Sequence, residues 1–258
     1  MSDIRYGVTM IYVLMTALNE EQGLADLLPK LPTHVDGHDV QIIVIDDGST
    51  DATSAVAMEH GCITLTSESN HGKGASLQIG LRALQDLEYD ALVFMDSDGQ
   101  HDPDEFAAMV EPILDGTVDL MVGSRYLANP GRGHAPWNRY LVRSASVVLL
   151  NTILSLDITD PYSGYRAMTP EAVGCIELIG DRYESELEMI FCAVHHELRV
   201  AEKPIPKIYG PATSKMGMRY GKLFGRIDVV SRYALTIARG ALARYTHSPS
   251  KTKEPISP

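Results

Sequence analysis

Five apolar residues, Ala91-Leu92-Val93-Phe94-Met95, run without a break into Asp96-Ser97-Asp98-Gly99-Gln100-His101. A short run that is apolar at every position suits a strand covered on both faces, as in a parallel sheet packed between helices. Two carboxylates where such a strand ends have no part in that core. In open α/β sheets, ligands bind outside the carboxyl ends of the strands. Asp-x-Asp at that place therefore reads as a seat for a divalent cation and the phosphates it carries. Mg²⁺ or Mn²⁺ fits best, because both prefer hard oxygen ligands. Alone, the same pair is equally an acidic turn after a strand, so the rest of the chain has to decide.

Upstream, the same alternation recurs. Residues 10–15 read as a first buried strand, followed by Thr16-Ala17-Leu18-Asn19-Glu20-Glu21 and a helix over about 22–31. Asn19 and the two glutamates suit a helix start by capping and by the helix dipole, and a first strand-to-helix turn in a doubly wound fold also lies against ligand. Residues 40–45 form a second strand that opens into Asp46-Asp47-Gly48-Ser49-Thr50-Asp51. Ser49, Thr50 and Asp51 are possible N-caps for a helix through residue 59. Capping does not explain two preceding carboxylates, which can accept hydrogen bonds from a base or from ribose hydroxyls. A short strand over 62–65 leads to Ser69-Asn70-His71-Gly72-Lys73-Gly74-Ala75 and a helix over about 76–85. Glycines flanking a lysine at a helix N-terminus suit a phosphate contact, although the spacing is not that of a P-loop. Past the Asp-x-Asp strand, a helix begins near Pro103 and runs to about 114, and a strand over 119–122 ends in Gly123-Ser124-Arg125-Tyr126. Four alternations of strand and helix predict a mostly parallel sheet flanked by helices.

The second half is richer in basic and turn residues. A Gly/Pro loop over 128–136 carries Arg132 and His134, and a helix follows over about 137–156. Arg139 and Arg143, spaced i, i+4, share one face of it. They suit bidentate phosphate binding or are ordinary surface arginines. Asp160-Pro161-Tyr162-Ser163-Gly164-Tyr165-Arg166 is turn-rich; a helix over 182–197 carries Glu184, Glu186 and Glu188, and a strand over 199–205 ends in prolines. From 219 onward, Leu223, Ile227, Val230, Ala234, Ile237, Ala241 and Tyr245 recur at spacings of three and four, accompanied by Lys222, Arg226, Arg232, Arg239 and Arg244. A basic amphipathic helix reads as a membrane-surface element or as a helix packed on a partner.

Charge supports the split. Residues 1–202 hold 11 Lys/Arg against 32 Asp/Glu, a net −21; residues 203–258 hold 11 against 2, a net +9. A basic quarter on an acidic body predicts an anionic partner at that end, and a membrane surface fits better than nucleic acid, which we do not expect as a partner. Three cysteines without ligand spacing point to buried thiols in a reducing compartment. No signal peptide and no run of about 18 apolar residues is evident.

Taken in order, the motifs are Thr-Ala-Leu-Asn-Glu-Glu, Asp-Asp-Gly-Ser-Thr-Asp, Asn-His-Gly-Lys-Gly-Ala, Asp-Ser-Asp-Gly-Gln-His, Gly-Ser-Arg-Tyr and Asp-Pro-Tyr-Ser-Gly-Tyr-Arg. Over about 11–220 the chain resembles the inverting family 2 glycosyltransferases of GT-A fold, and among them the dolichol-phosphate mannosyltransferase and polyprenyl-phosphate glycosyltransferase branch. The resemblance implies a Rossmann-like α/β domain over 1–218, with the amphipathic extension at 219–247 as a membrane-surface helix and a disordered tail at 248–258. It implies a nucleotide sugar (a GDP- or UDP-hexose) as donor, a polyprenyl or dolichyl phosphate as acceptor, Mg²⁺ or Mn²⁺ as cofactor, and a place on the cytoplasmic face of a membrane. Thr16, Ala17, Asn19, Glu20, Asp46 and Asp47 would form the nucleoside pocket. Lys73 and Gly74 would lie beside the nucleotide, together with Asp96 and Ser97. Asp96, Asp98 and Gln100 would hold the metal. Arg125, with Arg139 or Arg143, would bind the lipid phosphate, Ser163, Gly164 and Arg166 would line the acceptor or sugar site, and Lys215 would close on the phosphates. Asp98, Arg125 and Lys215 would be the catalytic groups. Met15 and Leu18 stand where the family's first turn usually has Pro and Tyr, so base stacking there is not expected.

A lipid phosphate is already anionic and needs no general base. A transferase acting on a soluble or protein-linked acceptor would need one, and Glu184, Glu186 or Glu188 could supply it. A non-catalytic scaffold that binds nucleotide sugar is the third reading. A nucleotidyltransferase is disfavoured because 16–21 contains neither Gly nor a basic residue.

Overall fold

The apolar segments read as strands all become strands. The computed structural model describes residues 9–128, 137–180, 184–208 and 234–238. Among these the strands are β1 (Met10–Ala17), β2 (His34–Val35), β3 (His38–Asp46), β4 (Ile63–Thr66), β5 (Ala91–Phe94), β6 (Leu120–Ser124), β7 (Arg166–Met168) and β8 (Val200–Pro204). The α-helices are α1 (Glu21–Leu27), α2 (Thr53–Glu59), α3 (Lys73–Ala83), α4 (Phe106–Leu114), α5 (Trp137–Leu154), α6 (Pro170–Gly174) and α7 (Ser185–His195). One sheet runs β2-β3-β1-β5-β7-β6-β8, with β4 also paired to β3. The pairs β1–β3, β1–β5, β3–β4 and β6–β8 are parallel.

Alternation along the strands builds two cores. Ile11, Val13 and Met15 of β1 join Ala91 and Val93 of β5, Leu24 and Leu27 of α1, and Phe106, Met109 and Val110 of α4. On the other face, Leu14 of β1 joins Leu92 and Phe94 of β5, Leu77 of α3, Leu150 and Leu154 of α5, and Leu187 and Ile190 of α7. Both faces are covered, which is why β1 and β5 carry apolar residues at nearly every position. The chain moves outward from β1 to β3 and β4, then returns to the other side of β1 as β5. That reversal opens a crevice at the carboxyl ends of β1 and β5, the usual ligand position in such sheets.

Two features depart from the sequence reading. The turn-rich segment at 160–166 continues into β7, which lies antiparallel between β5 and β6. β7 has three residues and begins with an arginine, so it offers no apolar run to read. That arginine is also a correction. Arg166 is fully buried and donates to the carbonyls of Ser163 (2.9 Å), Pro161 (2.7 Å) and Glu186 (2.6 Å). Ser163 is fully buried too, its hydroxyl accepting from the Tyr165 amide at 3.3 Å. Both fold the 160–166 loop onto the start of α7. A buried guanidinium satisfied by main-chain carbonyls cannot be removed cheaply, because its partners would be left without donors.

Of the basic C-terminal segment only 234–238 is described, as a helical turn. Ile237 belongs to the α5–α7 core, whereas Leu235 is exposed. Ala234, expected on the apolar stripe with Ile237, is exposed, and Thr236 is buried in its place. The remainder of the predicted membrane helix and tail, with Lys215, lies outside the described residues, as do Arg132, His134 and the side chain of Arg139. No helix among the described residues is long and apolar enough to cross a membrane.

Arg166→Met is expected to lower stability by about 3 kcal/mol or more, read as a fall in the urea midpoint. An unchanged midpoint with a raised acceptor KM would return Arg166 to the binding site.

Candidate active site

The first and second strand-to-helix turns are laced to one another. Asn19 adopts a left-handed backbone (φ 53°), and its Oδ1 accepts from the Thr50 amide at 2.8 Å and the Thr50 hydroxyl at 3.2 Å. The Asn19 amide donates to Ser49 Oγ (2.8 Å), and the Glu20 amide donates to Thr53 Oγ1 (2.9 Å). Glu21 Oε2 accepts from the Ala52 amide at 3.1 Å. These side chains were expected to cap their own helices. Asn19 and Ser49 instead tie one turn to the next, while Asp51 does receive the Thr53 amide at 3.0 Å, close to the start of α2.

Asp46 and Asp47 end β3 almost fully buried. Asp46 accepts from the Ser49 amide (2.9 Å) and the Ser54 hydroxyl. Asp47 accepts from the amides of His71 (2.8 Å) and Gly72 (2.9 Å) and from Asn70 Nδ2 (2.6 Å). The second carboxylate therefore clamps the 70–72 loop, which leads into α3 and sets the position of Lys73. Gly48 (φ 76°) permits this packing, since a Cβ there would lie 2.7 Å from the Ser69 carbonyl carbon.

Lys73 reaches across the crevice. Its Nζ lies 2.5 Å from Asp96 Oδ1 and 2.7 Å from Glu186 Oε1, on α7. Burial alone would lower its pKa, but the two carboxylates raise it well above the usual lysine range. The same contact works on Asp96. Burial opposes its ionisation, yet Lys73, aided by His101 and Arg125, holds its carboxyl well below the usual carboxylate range. His101 is buried and stacked on Tyr165, with ring centroids 5.0 Å apart. Its Nδ1 accepts from the Asp96 amide at 3.1 Å, which leaves the ring proton on Nε2, 3.5 Å from Asp96 Oδ2. Burial pushes the His101 pKa down to about 4 against the pull of Asp96. Gly74 is buried in the first turn of α3.

Asp98 behaves differently. Burial, Asp96 and Glu20 push its carboxyl up to about 6. Its oxygens accept from the Gln100 amide (3.1 Å) and from Gln100 Nε2 (2.5 Å). Gln100 thus orients Asp98 through its nitrogen, where a role as metal ligand would use its oxygen. Ser97 Oγ donates to the Thr16 carbonyl at 2.9 Å and ties the ends of β1 and β5 together. Among the described residues, no group of three His, Cys, Asp or Glu side chains is arranged to enclose a metal. A cation at Asp96 and Asp98 would take the rest of its shell from a ligand.

The 160–166 loop meets this acidic centre through Gly164. A Cβ at Gly164 would lie 2.4 Å from Asp96 Oδ2, so the backbone of the Ser-Gly-Tyr-Arg motif packs directly on the carboxylate. The same loop also meets a basic group. Arg125 grips Asp160 with its Nε (2.7 Å) and Nη2 (3.0 Å). Arg143 donates to the Thr159 carbonyl at 2.6 Å and lies over the Tyr126 ring, 3.6 Å from its centroid. Lys207 Nζ lies over the same ring at 4.3 Å. Glu202 accepts from the Thr159 amide (2.7 Å) and the Asp160 amide (2.8 Å) and holds the loop beneath them.

Sequence reasoning missed Glu186 as the partner of Lys73, Asp160 as the partner of Arg125, and Tyr126, Lys207 and Glu202. Asp160 and Tyr126 stood inside quoted motifs. Lys207 had no local signal beyond the basic quarter.

A family profile described as Glycosyl transferase family 2 matches residues 12–173. The UDP-N-acetylglucosamine–dolichyl-phosphate N-acetylglucosaminyltransferase of Methanococcus voltae is 30% identical over 223 residues, which cover 78% of this chain and 86% of that protein. The polyprenol monophosphomannose synthase of Mycolicibacterium smegmatis is 29% identical over 202 residues, 75% of each chain. Among solved structures, glucosyl-3-phosphoglycerate synthase from Mycobacterium tuberculosis, in complex with Mn²⁺, UDP-glucose and phosphoglyceric acid, matches with a TM-score of 0.67 at 23% identity over 90% of this chain and 80% of that one. That likeness is one of fold, and the fold is the expected GT-A arrangement.

Gly164→Ala is expected to displace the Asp96 carboxylate and lower turnover by about 100-fold, the scale seen when reacting groups are misplaced by an ångström. Circular dichroism should stay native. Turnover within threefold of wild type would show that Asp96 tolerates the added methyl.

Proposed function

The chain belongs to glycosyl transferase family 2, and on that premise we propose that it moves a hexose from a nucleoside diphosphate sugar to the phosphate of a polyprenyl or dolichyl lipid, with inversion at the anomeric carbon. The observation that carries this reading is the juxtaposition at Gly164. Gly164 of the loop packs on the acidic, cation-ready centre, and Asp160 of the same loop is held by Arg125, next in sequence to Tyr126, whose ring carries Arg143 and Lys207. The M. voltae and M. smegmatis relatives are named for dolichyl-phosphate and polyprenol chemistry, which fits a phosphate acceptor on the basic side.

The donor would lie at the carboxyl ends of β1, β3 and β5, with its base near Thr16–Glu20 and the β3 turn. Asp46 already holds that turn's backbone and Asp47 the 70–72 loop, so their part in base recognition would come through the geometry they fix and through any remaining lone pairs. The residues at Asp96–Asp98 fit a divalent cation. Their donors are hard oxygens, and the Asp98 carboxyl is raised by burial and then by Asp96 and Glu20, negative charge that a cation relieves. When bound, Mg²⁺ or Mn²⁺ would neutralise charge on the departing diphosphate. Lys73 supplies further positive charge to the same region. Lys215 would add to it.

A phosphate nucleophile arrives ionised, and the site needs only to align it opposite the leaving group. Two of the glutamates that might have served as a base are otherwise engaged. Glu188 accepts from the amides of Ile179 and Gly180 at 3.1 and 2.9 Å, and Glu186 is paired with Lys73 and Ser185. That favours the lipid phosphate over a hydroxyl acceptor. The basic C-terminal quarter would bring the enzyme to the cytoplasmic face of a membrane, where anionic headgroups attract it.

Radiolabelled GDP-mannose, UDP-glucose and UDP-N-acetylglucosamine, each offered with polyprenyl phosphate and Mg²⁺ or Mn²⁺, should give an organic-phase product with one donor. Asp98→Ala should lower that transfer about 1,000-fold with the fold intact. Label that stays in the aqueous phase with all donors rejects the lipid acceptor, and near-normal transfer by Asp98→Ala rejects the metal assignment.

A further inference from the structure

Two cations from separate elements lie over one aromatic ring, and a third precedes that ring in sequence. Arg125 leaves the end of β6 beside Tyr126, Arg143 projects from α5, and Lys207 follows β8. The β6–β8 pairing extends one step past the strands, through the Ile205 amide to the Ser124 carbonyl at 2.9 Å. That bond carries the chain of Lys207 alongside Ser124-Arg125-Tyr126. Arg143 Cζ and Lys207 Nζ then lie 3.6 and 4.3 Å from the centroid of the Tyr126 ring.

Among the described residues, two acids by the group are engaged with the loop. Asp160 is fully buried and takes the Arg125 fork. Glu202 receives the Thr159 amide and hydroxyl and the Asp160 amide. Arg125 is therefore fixed as a buttress for the loop, while Arg143 and Lys207 share the ring. Burial, Arg143 and Arg125 together lower the pKa of Lys207, against Asp160. Like charges held close in half-buried surroundings repel one another, and a multiply charged anion placed among them turns that repulsion into attraction.

We propose that Lys207, with Arg143 across the Tyr126 ring, binds the phosphate monoester of the acceptor and sets the preference for phosphorylated acceptors. The assignment rests on the transferase reading above and adds to it a residue outside the motifs. Arg143 offers the planar fork and Lys207 a point charge on a flexible stem, two complementary ways to hold a phosphate. The phosphate could belong to a lipid or to a small soluble metabolite, since the chemistry of recognition is the same.

The test measures binding without turnover, on the full chain. A water-soluble short-chain prenyl phosphate, the matching prenyl alcohol and glycerol 3-phosphate are titrated by calorimetry into wild type, Lys207→Met and Lys207→Arg. Prenyl phosphate should bind about tenfold more weakly to Lys207→Met, the scale of one charge-assisted hydrogen bond, and within about threefold of wild type to Lys207→Arg. The alcohol should show no dependence on residue 207. In the transfer assay, KM for the acceptor should rise while KM for the nucleotide sugar stays level, a split that a merely structural lysine would not give. Unchanged phosphate affinity in a natively folded Lys207→Met overturns the proposal, as does an equal rise in both KM values. Lys207→Gln takes the same measurements if the methionine variant does not fold. Glycerol 3-phosphate bound as tightly as prenyl phosphate, with the same dependence on Lys207, supports the site and assigns it to a soluble phosphate monoester. Binding that depends on Lys207 without sugar transfer from any donor rejects the transferase reading and leaves this assignment standing.

Discussion

Desolvated negative charge is the constraint on which the rest of the structure depends. Asp96 sits at the end of a strand buried on both faces, where burial by itself would protonate it. Lys73 prevents that by direct contact at 2.5 Å, and the same ammonium holds Glu186 at 2.7 Å. A buried pair of this kind is a poor source of net stability, but removing one member leaves an uncompensated charge, which typically costs several kcal/mol. The position of Lys73 therefore matters more than its strength. Asp47 fixes it by capturing the amides of His71 and Gly72. A carboxylate at the end of β3 thus determines the ionisation of a carboxylate at the end of β5, through a loop neither strand contains.

The basic side follows the same logic with the sign reversed. Asp160 is buried and would be costly alone; the Arg125 fork and the Arg125 amide give its oxygens partners. Glu202 then holds the loop that carries Asp160. Lys73, Asp96, Arg125 and Asp160 are each held by a charged partner before any ligand arrives. Preorganised charge of this kind is what stabilises developing charge at low reorganisation cost.

Much of this was legible in the sequence, for identifiable reasons. Strands β1, β3 and β5 declared themselves because burial on both faces leaves apolar residues with no alternation to confuse. The carboxylates at 46, 47, 96 and 98 stood out because a strand end in a core has no other use for them. What could not be read is pairing at a distance. Lys73 and Glu186 are 113 residues apart, and nothing in either neighbourhood names the other. Arg166 misled because a motif gives residue type without burial; the same guanidinium that could bind phosphate instead closes on three carbonyls. Asn19 and Ser49 misled in a milder way. Short polar side chains satisfy whichever amide is nearest, and here the nearest amide belonged to the neighbouring turn.

The strand β7 has a consequence for how such a protein can change. At the site, the two parts of the chain meet through three contacts: Lys73 on Glu186, Asp96 against Gly164, and His101 stacked on Tyr165. The part before about residue 102 supplies the acidic strand ends, and the part after residue 118 supplies the basic group together with Glu186 and Gly164. β7 is hydrogen-bonded to β5 on one side and β6 on the other, so it works as a seam between two contiguous stretches of sequence. A chimera joined in the 102–118 stretch, keeping those three contacts and the β7 register, would exchange one centre without disturbing the other. In such an architecture the two centres can be inherited separately, provided the seam keeps its pairing.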